Sequence, residues 1–195
     1  MSRREFASEQ LQPENFVFTE ENRRKIEKLI LKYPENRLGS ALLPLLDLAQ
    51  RQHEGWLPKV AISHVANLLD VVEIKAFEVA SFYTMFNLAP RGKFLVQLCR
   101  TTPCWLRGSD DLRKACMDYL EIGIGETTPD GLFTVVEVEC LGACISGPAI
   151  QINDDFFEDL NVVSFLDILR ALRNGESVGI ESQTMQHTIP KPKTD

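Results

Sequence analysis

The sequence lacks any uninterrupted run of about 18 apolar residues, the minimum for a helix that crosses a bilayer, so direct membrane insertion is not expected. It also lacks a clustered face of Lys and Arg. Its 21 basic and 28 acidic residues leave a formal net charge of -7, the wrong sign for nucleic-acid binding. Met1-Ser2-Arg3-Arg4 is not followed by an apolar signal core but soon by Glu5 and Glu9, which predicts a cytoplasmic, unprocessed N-terminus. Histidine is scarce, and His53, His64 and His187 show no spacing that would make a ligand set or a base. No G-x-S-x-G nucleophile elbow occurs. Gly123-Ile124-Gly125 follows a helical stretch rather than a strand, so it is not a dinucleotide loop. Asp154-Asp155 with Glu158-Asp159 misses the calcium-loop spacing and reads as a solvated turn.

What is present is enough for a folded core, with 44% hydrophobic residues in a chain of 195. Residues 1–18 read as a leader. Residues 19–88 read as a small helical bundle. Thr19 is placed to cap a helix carrying Ile26, Leu29, Ile30 and Tyr33 at helical spacing, and Pro34 stops it. Ser40 is placed to cap a second helix to about His53, Pro58 opens a third, and Glu73 to about Tyr83 forms a fourth.

At Ala89-Pro90-Arg91-Gly92 the pattern changes, and residues 89–175 read as a second domain. Its expected order is a buried strand over Lys93–Leu98, a helix from Trp105 to about Leu120, and a strand over Leu132–Val138. A hairpin turned at Asn153-Asp154-Asp155 and a helix from Val162 to Arg173, ended by Gly175, complete it. Residues 176–195 form a polar tail without a core of its own.

Five cysteines without an export signal point to metal or redox chemistry rather than disulfides. Cys99 and Cys104 end the first strand as C-x4-C, and Cys140 and Cys144 end the next as C-x3-C. Two strands joined through a helix are normally parallel, so both pairs should meet at one sheet edge. Thiolates offered as two pairs suit a 2Fe-2S cluster, which takes two thiolates per iron, and equally satisfy the pattern of structural zinc. A thiol oxidoreductase is less apt, because that activity uses a C-x-x-C pair. Cys116 lies inside a helical stretch and reads as a buried non-ligand. Trp56 and Trp105 read as core or interface residues.

Four segments carry a resemblance that decides between these readings. They are Gly55-Trp56-Leu57-Pro58, Val79 to Phe86, Cys99-Arg100-Thr101-Thr102-Pro103-Cys104-Trp105-Leu106-Arg107-Gly108, and Glu139-Cys140-Leu141-Gly142-Ala143-Cys144 running on to Pro148 and Gln151–Asp155. Over roughly residues 19–175 the protein resembles the small 2Fe-2S subunit of the NADH-oxidising module (NADH dehydrogenase module) of respiratory NADH:quinone oxidoreductase (complex I), in the thioredoxin-like ferredoxin family. Ile145-Ser146-Gly147 departs from the Val-Asn-Ala type of that loop.

The resemblance implies an α+β/α/β fold, a helical N-terminal bundle followed by a thioredoxin-like 2Fe-2S ferredoxin domain. Cys99, Cys104, Cys140 and Cys144 match the family's cluster ligands, and no residue is catalytic on its own. It implies docking on a flavoprotein subunit that holds FMN and NADH, beside a neighbouring iron-sulfur subunit, peripheral on the cytoplasmic side of the inner membrane. Related subunits of NAD-linked hydrogenases and formate dehydrogenases share the ligand pattern.

Overall fold

The computed structural model describes residues 5–179, and its backbone divides between Arg91 and Gly92 into two compact units. The first is helical, with α1 (Glu20–Ile30), α2 (Leu42–Gln52), α3 (Lys59–Leu68) and α4 (Glu73–Phe82). Thr19 caps α1 by accepting the Asn22 N–H, and Glu20 and Glu21 sit in the first turn, where the helix dipole favours acid. Ser40 does not cap α2. Residues Glu35–Ala41 form tight 3-10 turns, so α2 starts one residue later, behind Ala41, with Pro44 in its first turn.

One face of each helix of this unit is apolar, and the core gathers Leu45 and Leu46 of α2, Ile62 and Val65 of α3, and Ala80 of α4 with Leu57 and Phe86. The buried Gln50 ties the chain after α4 to this core. Its Nε2 donates to the Met85 carbonyl at 3.0 Å and its Oε1 accepts the Asn87 N–H at 2.6 Å.

The second unit is a four-stranded mixed sheet ordered β2-β1-β3-β4, with β1 (Phe94–Cys99), β2 (Phe133–Val138), β3 (Ile150–Ile152) and β4 (Asp155–Phe157). β1 and β2 are parallel, in a register that sets Phe94 against Phe133 and Cys99 against Val138. Their carboxyl ends therefore lie at one edge. β3 runs antiparallel along the other side of β1, making β1 central.

Alternation buries Val96, Leu98, Phe133 and Val135 with Ile150 and Ile152. Helices α6 (Ser109–Leu120) and α7 (Val162–Arg173) pack on each other and contribute Leu112, Cys116, Leu120, Phe165, Ile168 and Leu169 to the same core. Asn161 caps α7 through the Val163 and Ser164 N–H groups in a reciprocal capping box. The fold class is thus a helical region followed by an α/β domain, as expected.

The helix expected from Trp105 to Leu120 is two helices. A short α5 (Thr102–Leu106) precedes α6, and the chain turns between them at Gly108, whose φ of +96° suits glycine. Because α5 starts at Thr102, Cys104 sits within a helix rather than ahead of one. The hairpin forms where expected, with Asn153 in a left-handed conformation at its turn.

Gly92 shows how closely the start of β1 approaches β2. A Cβ there would lie 2.8 Å from the Phe133 carbonyl carbon and 2.9 Å from Leu132 backbone atoms, and its N–H donates to Thr134 Oγ1 at 2.6 Å. Gly92→Ala forces backbone apart in a packed sheet, which is expected to cost about 1–3 kcal/mol. Chemical denaturation of the variant checks it, and an unchanged midpoint would show slack that the 2.8 Å approach does not allow.

Candidate metal centre

The two cysteine pairs meet at the edge of the sheet where β1 and β2 end. Cys99 is the last residue of β1, and Cys104 follows in α5. Both are buried, packing with Ala149 at the entry to β3. Cys140 and Cys144 lie in the loop after β2, and both are exposed. Their sulfurs are 3.3 Å apart. Two thiolates on one tetrahedral metal with bonds of about 2.3 Å stand about 3.7 Å apart, so this pair needs to open by only a few tenths of an ångström. Cys99 and Cys104 are likewise near enough to shift each other's acidity. Among the described residues no three or more His, Cys, Asp or Glu side chains are grouped to hold one ion. Two thiol pairs meeting at one edge are the donor set that two irons require, so the residues present fit a 2Fe-2S group.

Donors around the sulfurs separate their acidities. The Cys140 thiol is lowered, first by the Gly142 N–H that donates to its Sγ at 3.4 Å and then by hydrogen bonds with Cys144 and Thr101. Gly142 takes a left-handed φ of +87°, which turns this amide back onto the sulfur. Burial opposes ionisation of Cys99, but hydrogen bonds from the Thr101 side chain and from the Thr101 and Leu141 amides outweigh it and lower its pKa. Burial pushes Cys104 up to about 11, aided by its Cys99 and Cys144 neighbours and opposed by the Ala149 N–H. Cys144 is raised, chiefly by its hydrogen bond with Cys140.

Cys116 is not part of this group. It is fully buried in α6 between Leu112 and Leu120, and burial alone pushes its thiol up to about 12.

Both cysteine loops are bolted to the segment after β4, a feature the sequence pattern does not announce. Arg107, just past α5, pairs with Asp159 at 3.5 Å. Ser146, just past Cys144, donates to Glu158, and its carbonyl accepts the Asp159 N–H at 2.6 Å. Asp159 is buried, so Glu158-Asp159 is not a solvated turn; the exposed turn is Asp154-Asp155 alone. A second network backs the same edge, with Glu137 accepting from Arg113 at 2.6 Å and from Arg100 at 3.1 Å. The sequence carries no spacing signal for these pairs, because each joins segments distant along the chain.

Trp56 is buried and stacks edge-on with His53, whereas Trp105 is exposed and donates its indole N–H to Asp110 at 2.8 Å. Leu106 and Ile145, each next to a cysteine loop, are also exposed, at 71% and 84%. His187 and residues 180–195 of the tail lie outside the described residues. Among those described, no helix is long and apolar enough to cross a membrane.

Comparison with known proteins adds three findings. The family profile of the thioredoxin-like 2Fe-2S ferredoxins matches residues 26–173. The protein is 54% identical over 160 residues to a subunit of the NADH-quinone oxidoreductase of Rickettsia bellii, covering 82% of this chain and 96% of that one. It is 49% identical over 178 residues to mitochondrial NADH dehydrogenase (ubiquinone) flavoprotein 2 of Dictyostelium discoideum, covering 91% and 72%. Among solved structures, an NAD+-reducing NiFe-hydrogenase aligns with a TM-score of 0.60 and 19% identity over 73% of this chain and 24% of that one, a likeness of fold alone.

Proposed function

This protein belongs to the thioredoxin-like 2Fe-2S ferredoxin family and carries one 2Fe-2S cluster as an electron-transfer subunit; we propose that Cys99, Cys104, Cys140 and Cys144 hold that cluster within an NADH:quinone oxidoreductase, exchanging single electrons with the FMN of a partner flavoprotein subunit. The observation that carries the reading is the convergence of two thiol pairs at the shared end of parallel β1 and β2.

The cluster supplies reversible one-electron chemistry. The residues of this chain bind and shield it. Cys99 and Cys104, 2% and 1% exposed, form a dry inner wall, while Cys140 and Cys144 form an outer wall open to a partner. Backbone donors from Gly142 and Leu141 stabilise thiolate charge there. Hydride chemistry belongs to the flavoprotein, which holds FMN and NADH. The exposed apolar side chains of Trp105, Leu106 and Ile145 beside the cysteine loops suit a docked subunit. Membrane association then comes through the complex, at the cytoplasmic side of the inner membrane, beside the flavoprotein and a neighbouring iron-sulfur subunit. The equivalent subunit of an NAD-linked hydrogenase is the competing assembly, and the partners that co-purify distinguish the two.

Anaerobically purified protein is expected to hold about two irons per chain and to gain an EPR signal only after dithionite. One zinc per chain and no signal on reduction would sink the cluster assignment.

A further inference from the structure

The Thr101 hydroxyl occupies an unusual position. Thr101 is the N-cap residue of α5, where a threonine oxygen ordinarily accepts from the first-turn amides, yet it makes no such capping bond. Pro103 removes one of those amides, and the hydroxyl instead lies 3.3 Å from Cys99 Sγ. The hydroxyl also favours the Cys140 thiolate, from the other pair. A neutral hydroxyl has a single proton, so it donates to one thiolate at a time.

We propose that Thr101 is a positioning residue for the cluster site, its O–H donating to the Cys99 thiolate at the junction of the two cysteine loops and thereby favouring the reduced state. The proposal rests on Cys99 and Cys140 being cluster ligands. Reduction adds one electron, whose charge is shared with the ligating sulfurs, and a donor held against such a sulfur stabilises the more negative form. The Gly142 and Leu141 amides are backbone groups, so they persist when Thr101 is replaced. A difference between variants at 101 therefore isolates the hydroxyl.

The test is a redox titration of the cluster-loaded full chain, followed by EPR, with iron counted for each protein. Thr101→Val and Thr101→Ala are expected to lower the midpoint potential at unchanged iron content, and Thr101→Ser to keep the wild-type value. Wild-type potentials in the Val and Ala variants, or a fall shared by Ser, would overturn the proposal. Should Val and Ala fail to load iron, electron-nuclear double resonance on reduced wild type and Thr101→Ser in H2O and D2O decides. A strongly coupled exchangeable proton whose coupling changes between the two supports the hydroxyl donor, because the Gly142 and Leu141 amides are common to both, and identical exchangeable-proton spectra overturn it. A wild-type protein with no two-iron signal would instead bring down the ligand assignment.

Discussion

Replacing Cys104 by alanine is expected to abolish the dithionite-reduced EPR signal and leave the protein short of its two irons, whereas Cys116→Ala is expected to keep both. The two residues are alike in composition and burial, at 1% and 0% exposure, so burial alone does not separate them. Their neighbours do. Cys104 interacts with Cys99 and Cys144 at the edge where both cysteine loops arrive, and a Cβ on Gly147 would stand 3.3 Å from its sulfur. Cys116 is surrounded by Leu112, Leu120 and the strand core, and no other thiol among the described residues packs with it there. A cluster that loses one of four thiolates loses a charged ligand and is open to water. Loss of one buried sulfur from a helix costs only a small cavity, about 1 kcal/mol. Iron analysis with EPR on both variants reads the difference directly, and equal loss of signal in the two would refute the ligand set.

Phe133→Ala is expected to give the largest loss of stability, about 3–5 kcal/mol. The Phe133 side chain is fully buried at the start of β2, stacks at 5.4 Å on Phe94 of β1, and has the Arg173 guanidinium of α7 5.7 Å from its ring. Truncation opens a cavity between two strands and a helix that together position both cysteine loops. Because a tightly bound cofactor breaks simple two-state behaviour, the comparison is best made on midpoints. Loss of the cluster's visible absorption and loss of far-ultraviolet ellipticity are both expected at lower denaturant than in the wild type. Wild-type midpoints for both would show that the core closes over the gap.

The positions of the strands and of the four cysteines were legible along the chain because both signals are local. Runs rich in apolar and β-branched residues mark β1 and β2, turn residues bound them, and thiols recur within four or five residues at each strand end. The crossover helix between β1 and β2 makes parallel pairing the default, so even the convergence of the pairs could be anticipated. Helix ends were less legible. Ser40 resembles a cap, but the preceding 3-10 turns engage that stretch of backbone, and the break at Gly108 is a single left-handed residue inside an otherwise helical pattern.

The sequence by itself therefore determined the ligand candidates, since metal chemistry depends on residue type and short spacing, and its resemblance to a family chose a 2Fe-2S cluster over the zinc that the same spacing allows. The tertiary structure alone decided what surrounds the ligands. It placed β3 on the far side of β1 and brought Ala149 against Cys99 and Cys104. It buried Asp159 so that Arg107 and Ser146 share one anchor, and turned the Thr101 hydroxyl from its own helix to a sulfur. Apart from the Thr101 hydroxyl, which is two residues from Cys99, these contacts join residues up to 56 positions apart. No local pattern encodes them, because they exist only once the sheet has brought distant segments within hydrogen-bonding distance.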